Sequence, residues 1–215
     1  MTLPGAVLFD CDGVLVDSEE ITNRLMRDDL ARYGLDLPLD QIMALFVGGT
    51  IDTCAEEARR RGADLPDDWV PRIYEQMFEA LAQEVEAVPG VSGIVTDLSA
   101  RGVACAVASN GPFAKMEITL QRTGLWAPLF PHIYSAKDLP NPKPAPDVYL
   151  HAAKMLNMPI ERCVVIEDSA SGARAAQAAG MRCIGFAATG QGDDLAPLVD
   201  VVATDMAQVR LHLGL

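Results

Sequence analysis

Asp10 and Asp12 stand two residues apart at the end of the apolar run Ala6-Val7-Leu8-Phe9, with Gly13 directly after them. On a strand, that spacing turns both carboxylates to one face. Two acids on one face repel unless a cation or a shared proton lies between them, and a divalent ion held by oxygens is the simplest answer. Three more places carry reactive or charged side chains next to apolar runs. Val103–Ala108 leads into Ser109-Asn110-Gly111, Cys163–Ile166 leads into Glu167-Asp168-Ser169, and Lys143 stands in the proline-rich stretch Leu139–Pro146. Together they supply two pairs of acids, a hydroxyl with an amide, and one ammonium. Phosphoryl transfer needs a set of this kind: a nucleophile, an acid and base, a metal, and donors for the phosphate oxygens.

The surrounding elements must bring these groups together. From residue 91 onward, helical patterns at 91–101, 113–123, 146–157 and 170–179 alternate with short strand patterns at 103–108, 132–134, 163–166, 182–186 and 201–203, and a last helix follows. This alternation predicts a parallel, doubly wound, Rossmann-like α/β sheet, in which ligands gather at the carboxyl ends of the strands. Residues from about 18 to 86 read as wholly helical. Ile21, Leu25, Leu30 and Tyr33 have helical spacing before the stop at Gly34, and Gln41–Val47 forms a short helix ended by Gly48-Gly49. Thr50 is placed to cap the next helix, with Thr53 and Ala58 on its inner side. Ile73, Met77, Leu81 and Val85 follow at i+4 spacing, before the break at Pro89-Gly90. No strand is expected there. The domain reading is therefore a catalytic core of residues 1–16 and 88–215, with an inserted helical cap at 17–87 over the carboxyl end of the first strand.

With 215 residues, half of them hydrophobic, the chain can bury a sizeable core. Its net charge of −13 argues against a nucleic-acid or anionic-membrane surface. A small anionic substrate stays possible, because a site can be locally positive. The five cysteines include no CxxC pair, so neither a disulfide framework nor a zinc site is expected. Cys105, Cys163 and Cys183 read as buried small hydrophobes. No apolar run reaches about 18 residues and no signal-peptide layout precedes the first strand, so a cytoplasmic protein is the expectation, with a monomer as the default.

The opening Asp10-Cys11-Asp12-Gly13…Asp17-Ser18-Glu19, the serine at 109, the Lys143–Tyr149 segment and Glu167–Gly172 occur in order along the chain. In this the sequence resembles the haloacid dehalogenase superfamily, in the group with a helical cap after the first motif. That group includes phosphoglycolate and 6-phosphogluconate phosphatases and β-phosphoglucomutases. The resemblance implies Asp10 as nucleophile and Asp12 as general acid, then base, with Lys143 neutralising charge on Asp10 and the phosphoryl group. It implies Ser109 and Asn110, with Lys143, as phosphate-binding residues. It also implies Mg2+ held by Asp10, the backbone carbonyl of Asp12, Asp168, and Glu167 either directly or one step removed.

The acid at position 12 separates the possible reactions. An alkoxide leaving group needs a proton and a halide does not, so Asp12 favours phosphoryl chemistry over dehalogenation. Residues 17–86 contain no lysine, which removes the Schiff-base hydrolases of the superfamily. In the mutases an arginine and a histidine of the cap grip a second phosphate; here those positions align with Ile51 and Thr22. The lysine expected just after the second-motif serine is displaced as well. A phosphatase acting on a small phosphorylated metabolite, a sugar or sugar acid, is thus the leading reading. A phosphosugar mutase is second, and a non-catalytic binding protein a distant third. Glu20, Asn23 or Arg24, and the loop with Gly49 and Thr50, are the candidate substrate contacts of the cap; Arg24 either grips an anion or forms a surface salt bridge.

Overall fold

The computed structural model describes residues 3–46, 51–188 and 192–215. Two compact units make up the chain: Ser18–Val85, and the flanking segments that end at Asp17 and resume at Glu86. The division thus falls one residue inside the start and two inside the end of the cap expected from sequence.

The flanking unit opens with β1 (Ala6–Phe9) and the two-residue β2 (Val16–Asp17). The inserted unit then runs through α1 (Glu19–Arg32), α2 (Leu39–Phe46), α3 (Ile51–Arg60) and α4 (Trp69–Glu84). The chain returns at β3 (Glu86–Ala87), α5 (Val91–Ala100), β4 (Ala104–Ser109), α6 (Phe113–Arg122) and α7 (Trp126–Leu129). It closes with β5 (Ile133–Ser135), α8 (Asp147–Met155), β6 (Cys163–Glu167), α9 (Ala170–Ala178), β7 (Arg182–Phe186), α10 (Gly192–Leu195), β8 (Val201–Ala203) and α11 (Met206–Leu213).

Six of the strands form one all-parallel sheet in the order β5-β4-β1-β6-β7-β8. The chain winds outward from β1 to one edge and then from β1 to the other. The crevice at such a reversal is where open α/β sheets bind ligands. Helices on both faces explain why the central strands are continuous apolar runs rather than alternating ones. All four residues of β1 are buried, as are those of β6 including Glu167. Small residues let helices come close: Ala152 and Ala153 of α8, and Ala175 and Ala176 of α9, pack with Leu8 and Val165 in one core cluster. Ala104 and Cys105 are only half-buried at the start of β4, so Cys105 is not the core residue expected.

The inserted unit has a core of its own around Trp69, with Met26, Leu30, Ile42, Cys54, Ala58 and Ile73. The indole nitrogen of Trp69 donates to the buried carboxylate of Asp29 at 2.6 Å, and Arg32 supplies a second donor at 3.3 Å. A buried charge without such partners would be costly. Thr53 faces solvent; Cys54 and Ala55 take the inner side of α3 with Ala58. The antiparallel ladder of β2 with β3, pairing Val16 with Ala87 and Asp17 with Glu86, was not expected. Two residues per strand are too few to leave a period-two pattern.

Candidate active site

The sheet register sets the site. Phe9 lies level with Val107 on one side and Ile166 on the other, so β1, β4 and β6 run out together. One residue further on are Asp10 and Glu167, the last of β6, and two further along β4 is Ser109, its last. The amide of Asp10 still donates to the carbonyl of Ile166 at 3.0 Å, which fixes its direction before the chain turns. Distant parts of the sequence are thus joined by parallel pairing, and the expected core residues Asp10, Asp12, Ser109, Asn110, Lys143, Glu167 and Asp168 all fall at this edge or in the loops beside it.

Lys143 is the hub. Its ammonium donates to Asp10 Oδ1 at 2.5 Å and to Glu167 Oε1 at 2.6 Å, and it lies 4.7 Å from the ring centre of Tyr149. Glu167 is wholly buried, yet each of its oxygens has two donors. Oε1 takes Lys143 and the Tyr149 hydroxyl at 2.8 Å; Oε2 takes the Ser169 amide at 3.0 Å and its hydroxyl at 2.9 Å. Burial alone would raise its pKa, but the Lys143 ammonium and these donors hold it below the ordinary carboxylate value. Asp10 shares the same ammonium with fewer donors. Burial pushes it up to about 7, with Lys143 opposing the rise and the neighbouring acids adding to it. Lys143 itself is raised against burial by the two carboxylates.

A second ammonium serves the second aspartate. Lys115, on α6, donates to Asp12 Oδ1 at 2.7 Å. Burial opposes its charge, and Asp12 outweighs that and raises the lysine. Along the sequence this lysine is displaced from Ser109; one turn of helix after Pro112 returns it to the site. The signal was available in the Gly111-Pro112 start followed by Lys115 in the first turn. Ser109 is buried, and its hydroxyl oxygen accepts from the Gly111 amide at 3.0 Å. Ser135, at the end of β5, donates to the Gly111 carbonyl at 2.7 Å and ties the same loop down. The Asn110 side chain braces Lys143: its Oδ1 accepts from the Lys143 amide at 2.9 Å and its Nδ2 donates to the Lys143 carbonyl at 3.3 Å. The sequence assigns no role to Tyr149, to Lys115 or to the bracing side chain of Asn110; their partners in the fold give each one.

The donor set fits a hard divalent cation. Asp10, Glu167 and Asp168 each bring a carboxylate oxygen within 4.8 Å of the others. Four carboxylates here face two ammoniums, leaving an excess of two negative charges if all are ionised. Oxygen-only donors suit magnesium- or calcium-like ions. Two glycines make room for the acids. A Cβ on Gly13, which has φ +78°, would lie 2.0 Å from Asp168 Oδ2. One on Gly172, in the first turn of α9, would lie 1.6 Å from Glu167 Oε1.

Among the cap candidates, Glu20 is an exposed residue in the first turn of α1 and Asn23 lies further along it. The guanidinium of Arg24 is paired with Glu84 on α4, so a substrate anion would have to displace that partner. Gly49 and Thr50 lie outside the described residues. Thr22 donates its hydroxyl to the carbonyls of Ser18 and Glu19 at 3.0 Å, and Ile51 is part of the cap's hydrophobic core.

A Rossmann-like sheet with this acid-and-lysine edge defines a class, and comparison with known proteins gives it a family. Residues 7–186 match the haloacid dehalogenase-like hydrolases, and the chain belongs to that family. It is 38% identical over 193 residues to the SUPPRESSOR OF QUENCHING 1 protein of Arabidopsis thaliana, covering 86% of this chain but only 18% of that protein. With 6-phosphogluconate phosphatase of Escherichia coli K12 it shares 30% identity over 188 residues, 85% of this chain and 82% of the relative. The crystal structure of a family hydrolase from Deinococcus radiodurans, with bound phosphate and sodium, superposes with a TM-score of 0.84 at 34% identity, over 99% of this chain and 96% of that one. The family and its named phosphatases support phosphoric monoester hydrolysis as the chemistry of this site. Among the described residues, no helix is long and apolar enough to cross a membrane.

Proposed function

We propose that the protein is a magnesium-dependent phosphatase that hydrolyses a small sugar or sugar-acid phosphate through an aspartyl-phosphate on Asp10. The observation that carries this is the pair of aspartates with separate lysines: Asp10 held by Lys143 and Asp12 held by Lys115. A carboxylate attacking phosphorus gives a mixed anhydride that water opens readily. Asp10 forms the new bond to phosphorus, and Asp12 gives its proton to the departing alcohol oxygen and then takes one from the attacking water. Lys143 spreads positive charge over Asp10 and the phosphoryl oxygens, while Ser109 and the backbone at Asn110 present donors to them. Asp10, Asp168 and the backbone carbonyl of Asp12 would hold Mg2+, which neutralises charge on the phosphoryl group. Glu167, already saturated by four donors, orients Lys143.

Two positions favour hydrolysis over mutase action. A mutase must grip a second phosphate from the cap, and the sites of its arginine and histidine are here an apolar core residue, Ile51, and a helix-bonded threonine, Thr22. The deciding experiment is phosphate release from 6-phosphogluconate, hexose and pentose phosphates, phosphoglycolate and β-glucose 1-phosphate with magnesium, in the presence and absence of EDTA. EDTA-sensitive release with one preferred ester is expected. Glucose 6-phosphate formed from β-glucose 1-phosphate without net phosphate release would overturn the proposal in favour of a mutase.

A further inference from the structure

We propose that Lys115 is a positioning residue for Asp12, and through Asp12 governs the departure of the alcohol; this rests on the phosphatase reading above. The contact is direct, from Nζ to Oδ1 at 2.7 Å, and partly shielded: the side chains are 17% and 27% exposed. A shielded pair is screened less than one on the open surface. The local backbone is built around it. Pro112 starts α6, which puts Lys115 in its first turn and points it back along the loop from Ser109. Gly111 leaves the space between them open. A Cβ there would lie 3.3 Å from Ser109 Oγ, 3.6 Å from Asp12 Oδ2 and 3.8 Å from Lys115 Cδ. Lys115 thus engages one oxygen of the Asp12 carboxylate, and the other lies on the side of Gly111.

The two lysines divide the work. Lys143 bridges Asp10 and Glu167 and belongs to the nucleophile. Lys115 meets the acid. As the Asp10–phosphorus bond forms and the bond from phosphorus to the alcohol oxygen breaks, the proton of Asp12 passes to that oxygen. When water then attacks phosphorus and the bond to Asp10 breaks, the water proton passes to Asp12. Both transfers need the carboxyl within hydrogen-bond reach of an oxygen on the same line, and small displacements cost large factors in rate. An ammonium fixed to the helix limits the swing of the aspartate between transfers.

The test separates esters by their need for a proton. An alkyl ester, the best of the substrate panel, requires protonation of its leaving oxygen; p-nitrophenyl phosphate expels a stable phenolate without it. Lys115→Met, Lys115→Arg and wild type are compared by kcat/KM, which covers the chemistry through phosphorylation of Asp10. Lys115→Met is expected to lose about 100-fold on the alkyl ester, as for removal of an effective general acid, and less than about threefold on the nitrophenyl ester. Lys115→Arg should recover most of the loss. Equal losses on both esters, or none on either, would overturn the positioning role. Should Lys115→Met fail to fold, Lys115→Gln carries the same comparison. A wild type inactive on both esters would instead overturn the phosphatase reading, and this proposal with it.

Discussion

Replacing Gly172 by alanine should destabilise the protein, although a helix position normally gains from that change. Gly172 lies in the first turn of α9, and glycine to alanine within a helix is worth up to about 1 kcal/mol. The new methyl would sit 1.6 Å from Glu167 Oε1, 1.9 Å from its Cδ and 2.4 Å from Oε2. A loose carboxylate would step aside, but this one is wholly buried and tied by Lys143, Tyr149 and two bonds from Ser169. Hydrogen bonds to a charged group contribute about 1.5–3 kcal/mol each. Breaking two costs about 3–6 kcal/mol, so the net loss is about 2–5 kcal/mol after the helix gain. For a chain of this size, about 2–4 °C accompanies each kcal/mol, which puts the expected fall in Tm at roughly 5–20 °C. Gly93→Ala in α5 is the control, because nothing lies within 4 Å of a Cβ there. It should be neutral or stabilising. Thermal unfolding followed by circular dichroism decides, and a Gly172→Ala protein as stable as Gly93→Ala would refute the reasoning.

Asp10→Asn should fold, release no phosphate and form no acid-stable phosphoenzyme detectable by mass spectrometry; measurable turnover would remove Asp10 as nucleophile. Its stability should also respond differently to pH. Asp10 is raised from 3.8 to about 7 in the folded protein, chiefly by burial. The folded state then holds a proton that the unfolded chain releases. This contribution is full below pH 4 and lost as pH rises through about 7, a total of about 4 kcal/mol at 1.4 kcal/mol per pH unit. In EDTA, the wild-type Tm should therefore fall more steeply between pH 5 and 8 than that of Asp10→Asn, and parallel curves would contradict the burial argument. Tyr149→Phe keeps the ring beside Lys143 but removes a donor from Glu167; a loss of about 1.5–3 kcal/mol in denaturant titration is expected, and an unchanged midpoint would show that Lys143 and Ser169 alone satisfy the carboxylate.

The parts legible in the sequence were those with local causes. Asp10 and Asp12 could be read because an apolar run and a two-residue spacing fix their strand position. The place of β1 between β4 and β6 is set by pairing Ala6 with Ala104 and with Cys163, segments far apart in the chain, and leaves no local trace. Tyr149 ends the Lys143–Tyr149 motif, but the sequence gives its hydroxyl no partner, because Glu167 is 18 residues away. The partner of Lys115 is hidden for a similar reason, since it lies 103 residues back in the chain. Arg24 shows the opposite limit. Its charge allows either an anion grip or a surface salt bridge, and the salt bridge, to Glu84 on a neighbouring helix, is the one formed.

The short ladder of β2 with β3 has a consequence for what this chain can tolerate. The inserted unit leaves the core after Asp17 and rejoins it at Glu86, and these two residues face one another across the ladder. Opposed residues of antiparallel strands lie about 5 Å apart. The chain therefore leaves the core and rejoins it through a doorway the width of one hairpin. A folded insert that brings its own ends together spares the host the entropy of closing a long loop, whatever its length. The core is accordingly a socket: residues 18–85 could be exchanged for another self-folding cassette, or for a two-residue turn, with the catalytic edge of the sheet left whole.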